Sequence, residues 1–216
     1  MIEQFAKGVV RWCYLAVLAT FLVIFAAASG GRFLGFDTDY RVFFAEGNPQ
    51  LEAFDKLQDT YTKTDSILFM LIPEDGDVFD KDTLTLAHEL TTEGWQLPYT
   101  SRVDSLANYQ HTEADEDELV VEDLILEIED LTPEKIAKVK TIALNEPLLK
   151  QRLISPEGHV TAVNVTVRLP QESPDETQIL VAEARKLKAI YKEKYPNIDI
   201  KLTGMVMMSN AFAEAA

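Results

Sequence analysis

Hydrophobic positions fall into two regimes along the chain. Twenty residues between Arg11 and Arg32 carry no charge, and as a helix they reach about 30 Å, the thickness of a bilayer's hydrocarbon core. Trp12 and Tyr14 open this run, where amphipathic rings favour the membrane interface. From Asn48 onward, apolar and polar residues alternate with helical or strand periods instead. Asn48 and Pro49 form an N-cap and a first helical position, and Leu51, Phe54, Leu57 and Tyr61 follow at helical spacing, predicting a helix over about 49–62. The run "SILFMLIP" (66–73) reads as a strand buried on both faces. After the turn "EDGD", Asp80 caps a helix reaching about Glu93, with Leu84, Ala87 and Leu90 on one face and Gly94 as its stop.

The middle of the chain is less regular. "YTSRVDSLANYQ" reads as a short strand leading into a loop. Residues 113–130 hold ten acidic groups and no basic one, which predicts a solvated excursion with a short strand at "LVVEDL". Thr132-Pro133-Glu134 opens a helix over about 133–144. In "RLISPEGHVTAVNVTVRLP" a Ser155–Gly158 turn precedes Val163, Val165, Val167 and Leu169 on one face, and the segment predicts a hairpin. Pro174-Asp175-Glu176 begins a helix to about Lys194, striped by Leu180, Ala184, Leu187 and Tyr191, and "NIDIKLTG" closes with a half-buried strand.

Without the excursions, the order is strand (66–72), helix (80–93), strand (102–107), hairpin (152–169), helix (175–194) and strand (198–203). Two β-α-β units in series predict an α+β domain of the ferredoxin-like, split βαβ kind, an antiparallel sheet with both helices on one face.

Charge changes the picture of what this domain can meet. Lys7, Arg11 and Arg32 are three of the 20 basic residues, and Glu3 is one of the 36 acidic ones; the remaining 17 and 35 leave the body after residue 36 at −18. Such a surface repels phosphate backbones and anionic lipid headgroups, which argues against nucleic-acid binding. Lys7 and Arg11 before the apolar run, with only Arg32 close behind it, place the N-terminus in the cytoplasm and the body outside. A cleavable signal peptide is the rival, since "AAAS" at 26–29 offers an A-x-A-like site. Glu3 and the length of the apolar stretch speak for an anchor. The single cysteine, Cys13, lies in the apolar run as a small filler, so neither a disulfide framework nor a cysteine metal site is available.

Catalytic chemistry is hard to find. His88, His111 and His159 belong to no ligand pattern, and His88-Glu89 does not begin H-E-x-x-H because position 92 is threonine. "EDGDVFDKD" (74–82) fails as a calcium loop: its glycine comes too early, and the twelfth residue from Asp75 is Leu86. No G-x-S-x-G, Walker A or G-x-G-x-x-G pattern occurs. Asn164-Val165-Thr166 is a glycosylation sequon by letter, placed mid-strand. No catalytic, cofactor-binding or metal-ligating residue is assigned, no cofactor is implied, and the chain reads as a non-enzyme.

Past the last strand stands "GMVMMSNAFAEAA", too apolar for a solvated tail and too short to cross a bilayer. It reads as the approach to a second membrane span. The stretches "NPQLEAFDKLQDTY", "DVFDKDTLTLAHEL", "SRVDSLANYQ", "LISPEGHVTAVNVTV" and "LTGMVMMSNAFAEAA", in this order, resemble the N-terminal portion of transporters of the resistance–nodulation–division (RND) superfamily, in particular MMPL-type exporters of lipids or other hydrophobic compounds. The resemblance implies a retained first helix rather than a cleaved signal. It implies a proton-driven inner-membrane exporter divided here into a cytoplasmic start (1–11), a transmembrane helix (12–31), a periplasmic porter-like domain (32–204) and the start of a second span (205–216). Its partners would be membrane lipids, the rest of the same transporter and a hydrophobic or lipid substrate; the oligomeric state stays open, a homo-oligomer included. The family's proton relay lies on helices outside this chain, and Glu214 reads as a membrane-boundary residue rather than a relay group. A single-pass, membrane-anchored periplasmic binding or interaction module is the alternative.

Overall fold

The computed structural model describes residues 11–31, 44–45, 47–61, 65–115, 118–170, 172–173 and 175–215. Expectations resting on Glu3, Lys7, Arg32, the segment 36–43, Glu116, Asp117, Pro174 and Ala216 lie outside the described residues. The chain forms two compact units, Met1–Asp37 and Thr38–Ala216.

In the first unit, α1 (Cys13–Gly30) is long and apolar enough to cross a membrane, about 27 Å at the helical rise. Its described side chains are all exposed. Among the described residues no other helix is of this kind.

The second unit runs α2 (Pro49–Tyr61), β1 (Asp65–Pro73), α3 (Lys81–Gly94), β2 (Thr100–Asp104), β3 (Gln110–Asp115), β4 (Glu118–Asp123), a 3₁₀ turn (Ile128–Asp130), α4 (Pro133–Asn145), β5 (Thr161–Val167), α5 (Glu176–Lys194), β6 (Ile198–Thr203) and α6 (Met205–Ala215). Three predicted caps are made. The Asn48 carboxamide oxygen accepts from the Gln50 N–H at 2.9 Å, Asp80 from Thr83 at 2.9 Å, and the Thr132 hydroxyl from Lys135 at 3.2 Å. Each satisfies an N–H that has no partner inside its helix.

The result is an α+β architecture on a four-stranded sheet of order β2-β5-β1-β6, with every neighbouring pair antiparallel. β1 is central: Phe69 stands opposite Val163 of β5 and Leu202 of β6. Ile67, Phe69 and Leu71 face a core shared with Val163, Val165, Ile200, Leu86 and Leu90 of α3 and Leu180 and Ala184 of α5. A run buried on both faces was expected for β1. Only alternate residues are buried, and Leu68, Met70 and Ile72 are half-buried on the other face. The reason is that α3 and α5 cover one face only, and periodicity within an all-apolar run cannot report that.

Other expectations shift for local reasons. The strand expected over 102–107 is β2 at Thr100–Asp104, because Ser105 and Asn108 turn the chain. The acidic stretch is not a simple excursion; β3 and β4 pair as a separate two-stranded ribbon from Gln110↔Asp123 to Asp115↔Glu118. Of the hairpin expected over 152–169, only β5 is a strand. The Ser155–Gly158 turn forms, with the Gly158 N–H donating to the Ser155 carbonyl at 3.0 Å, but the arm before it contributes only isolated bridges from Ile154, to Lys150 and Thr161. Gly94 ends α3 without a left-handed cap. It is the last helical residue, and a Cβ there would stand 3.1 Å from Val165 and 3.4 Å from Val103, so it is a close-packing position between helix and sheet.

Residues between β2 and β5 build a second core. Leu106, Leu124, Leu131, Val139, Ala143 and Leu149 bury together with Val78 and Leu84 at the entry to α3. α6 lies back on the first core through Val206, and the Arg185 guanidinium of α5 pairs in two-pronged fashion with Glu214 at 2.5 and 3.0 Å. Glu214 is thus a salt-bridge partner of α5.

Candidate functional site

The uncovered face of the four-stranded sheet and the inserted second core leave a cleft between them, with a volume of about 910 Å³. Its floor comes from Leu68 of β1, Asn164 and Thr166 of β5, and Arg102 and Asp104 of β2. Leu148, Arg152 and Leu153, from the segment after α4, stand along one side, and Asn108 and Tyr109 close one end. Strand alternation explains the floor: Val163, Val165 and Val167 point to the core, so Asn164 and Thr166 point away from it. The Asn164 amide lies 3.4 Å from the Thr166 hydroxyl, which places the letter-perfect sequon in mid-sheet above the cleft.

A buried polar knot sets the shape of the cleft. The Thr91 hydroxyl stands 2.6 Å from the Ala87 carbonyl and 2.7 Å from the Ser105 hydroxyl. The Ser105 and Ala107 N–H groups donate to the Asn108 and Ser105 side chains at 2.8 and 3.0 Å, and Asn108 Nδ2 donates to the Val103 carbonyl at 2.7 Å. Ser105 is therefore a folding group rather than a nucleophile, since its oxygen is committed on every side. On the floor, Arg102 places both Nε (2.7 Å) and Nη2 (2.6 Å) on one oxygen of Asp104, leaving Nη1 uncommitted by that pair. Burial, followed by the Glu146 carboxylate to which the phenol hydrogen-bonds, pushes the Tyr109 phenol above its ordinary range.

Neither a family model nor a curated protein matches the chain. The chemistry of the cleft therefore has to be read from its own residues.

The histidines and the acidic turn are dispersed. His159 Nδ1 meets the Gly76 carbonyl and ties two loops together. His111 sits on the ribbon 3.5 Å from Glu113, and His88 lies on α3. In the turn that imitates a calcium loop, Asp75 accepts from the Asp77 N–H at 3.3 Å and Asp77 from the Phe79 N–H at 3.1 Å, and Asp77 also pairs with Lys140 at 2.8 Å. Among the described residues no group of three or more His, Cys, Asp or Glu could hold a metal ion.

The cleft residues were invisible in the sequence. Positions 68, 95, 102–110, 148–153 and 164–166 come from five separated segments, and none has a diagnostic spacing. The available signal was alternation alone: once Val163 and Val165 are assigned inward, Asn164 and Thr166 must line the opposite face.

Proposed function

We propose that the chain is a membrane-anchored binding module: α1 lodges in lipid, and the α+β domain beyond it binds an amphipathic ligand in the cleft on the open face of its sheet. The observation that carries this is the pairing of a membrane-length helix, apolar and exposed on all its described sides, with a domain that holds a recess of about 910 Å³ beneath half-buried Leu68. A helix apolar all round needs an apolar solvent, and the recess is of the size that small ligands occupy. The bias of Lys7 and Arg11 supports a cytoplasmic N-terminus and a periplasmic domain. Fractionation and N-terminal sequencing test the reading. The intact chain should stay with the membrane after alkaline extraction, and an arginine at Leu18, which costs about 2.5–3.5 kcal/mol at a helix centre, should release part of it. A mature protein beginning near Ser29 and free in solution would refute the anchor.

A second reading is the first extracytoplasmic loop of an RND exporter of the MMPL type, handling a hydrophobic or lipid substrate for a proton-driven transporter. Its support is the strand order β2-β5-β1-β6 with α3 and α5 as crossovers, which is how two interleaved βαβ units of a ferredoxin-like domain are arranged. The apolar stretch of α6 is the other support. The coding sequence past residue 216 decides between the two readings. Further membrane-length helices with an embedded carboxylate favour the exporter, and an immediate stop favours the module alone.

A further inference from the structure

The cleft is electrostatically the reverse of the domain around it. Two guanidinium groups, Arg102 and Arg152, line it against one carboxylate, Asp104, in a body that carries −18. Elsewhere several basic side chains are paired with carboxylates: Lys138 with Glu113, Lys140 with Asp77, Arg185 with Glu214, Lys194 with Glu89 and Lys201 with Asp199. Arg152 makes no ion pair among the described residues. Arg102, itself part of the cleft lining, is held by Asp104 through Nε and Nη2, which leaves Nη1 outside that pair. Beside these cations stand Leu68, Leu148, Leu153 and the exposed ring of Trp95.

We propose that the cleft selects an anionic amphiphile: a carboxylate or phosphate headgroup is held by Arg152 and the free edge of Arg102, and the apolar portion lies against Leu68, Leu148 and Leu153. This rests on the amphiphile-binding reading above and adds the sign of the headgroup and the residues that choose it. Guanidinium donors match planar or tetrahedral oxyanions by paired hydrogen bonds, which an alcohol or an ammonium cannot reciprocate. Asp104 keeps the site from holding a permanent counterion tightly, because it already balances one of the two positive charges.

Trp95 reports on the cleft once Trp12 is changed to phenylalanine. The full chain carrying Trp12→Phe, in nanodiscs of zwitterionic lipid, is titrated with ω-bromododecanoate, its neutral alcohol analogue and a bromododecyl trimethylammonium, and quenching of Trp95 is followed. The carboxylate should bind tightest; Arg152→Gln should weaken it roughly tenfold or more while leaving the alcohol unchanged. Arg152→Lys should restore part of the loss. Acetate and inorganic phosphate, added as competitors, should displace the bromododecanoate poorly, which separates an amphiphile site from a free-anion site. Equal quenching by all three bromo-compounds, or an unchanged carboxylate affinity in Arg152→Gln, overturns the charge selection while leaving the cleft as an amphiphile site. Absence of quenching by any of the three overturns the underlying reading as well, and efficient displacement by phosphate overturns the amphiphile assignment.

Discussion

At the residue scale, stability concentrates where one atom serves several partners. Ser105 is fully buried and its hydroxyl stands among Thr91, Ala107 and Asn108. Ser105→Ala strands the Ala107 N–H and loosens Asn108, and should cost about 1–3 kcal/mol, read as a lower urea midpoint at unchanged slope. Gly204 is a second such point. Its φ is +111°, and a Cβ would lie 2.4 Å from the Ser66 carbonyl oxygen. The close atom is backbone in the central strand and cannot rotate away, so Gly204→Ala should destabilise by about 2 kcal/mol or more and lower the melting temperature by several degrees. In Gly158→Ala the close atom is a ring carbon of Phe79 at 2.8 Å, which can shift, and the loss should be smaller. No sequence motif marks Ser105 or Gly204, because their roles depend on atoms 14 residues away and on another strand.

At the element scale, the two sheets differ in what holds them. β1 is paired on both sides and seated in the main core. The β3–β4 ribbon has one pairing and leaves Leu119 and Val121 75% and 55% exposed. Its tie to α4 includes the Lys138–Glu113 pair at 2.7 Å, a surface contact of small worth. Amide hydrogen exchange should therefore be faster across β3 and β4 than across β1 and β5, with the ribbon opening without global unfolding. Leu71→Ala, by contrast, removes a fully buried side chain from the central strand and should cost about 2–5 kcal/mol. Helices were legible at this scale because caps and stripes are local. The ribbon was not, because ten acidic residues look like solvated loop whichever backbone they adopt, and pairing across strands leaves no mark on composition.

At the scale of the whole molecule, charge sets a window of stability. Burial raises the Asp77 carboxyl, but Lys140 and the Phe79 N–H outweigh it and hold it below its ordinary value; the Lys138 and Lys201 ammonium groups do the same for Glu113 and Asp199. These groups stabilise the fold above the unfolded carboxylate range, near pH 4, and that contribution is lost as pH falls through their lower folded values. Glu89 raises Lys194, while burial and then Glu89 raise the Tyr195 phenol. Their contribution is complete below about pH 10 and is lost as pH rises through the folded values. Denaturation midpoints should decline on both sides of this window, and Asp77→Asn should shallow the acid limb by less than about 1 kcal/mol, the pair being largely exposed. What the sequence determined by itself was whatever depends on near neighbours: the apolar anchor-length helix, the capped amphipathic helices, the alternation of β5 and the acidic character of the domain. Tertiary structure alone decided which face of β1 is covered, that β3 and β4 pair, and that Arg102, Arg152 and Leu68 share one cleft. Those outcomes turn on contacts between distant segments, and packing, not local pattern, selects among the arrangements that the same periodicities permit.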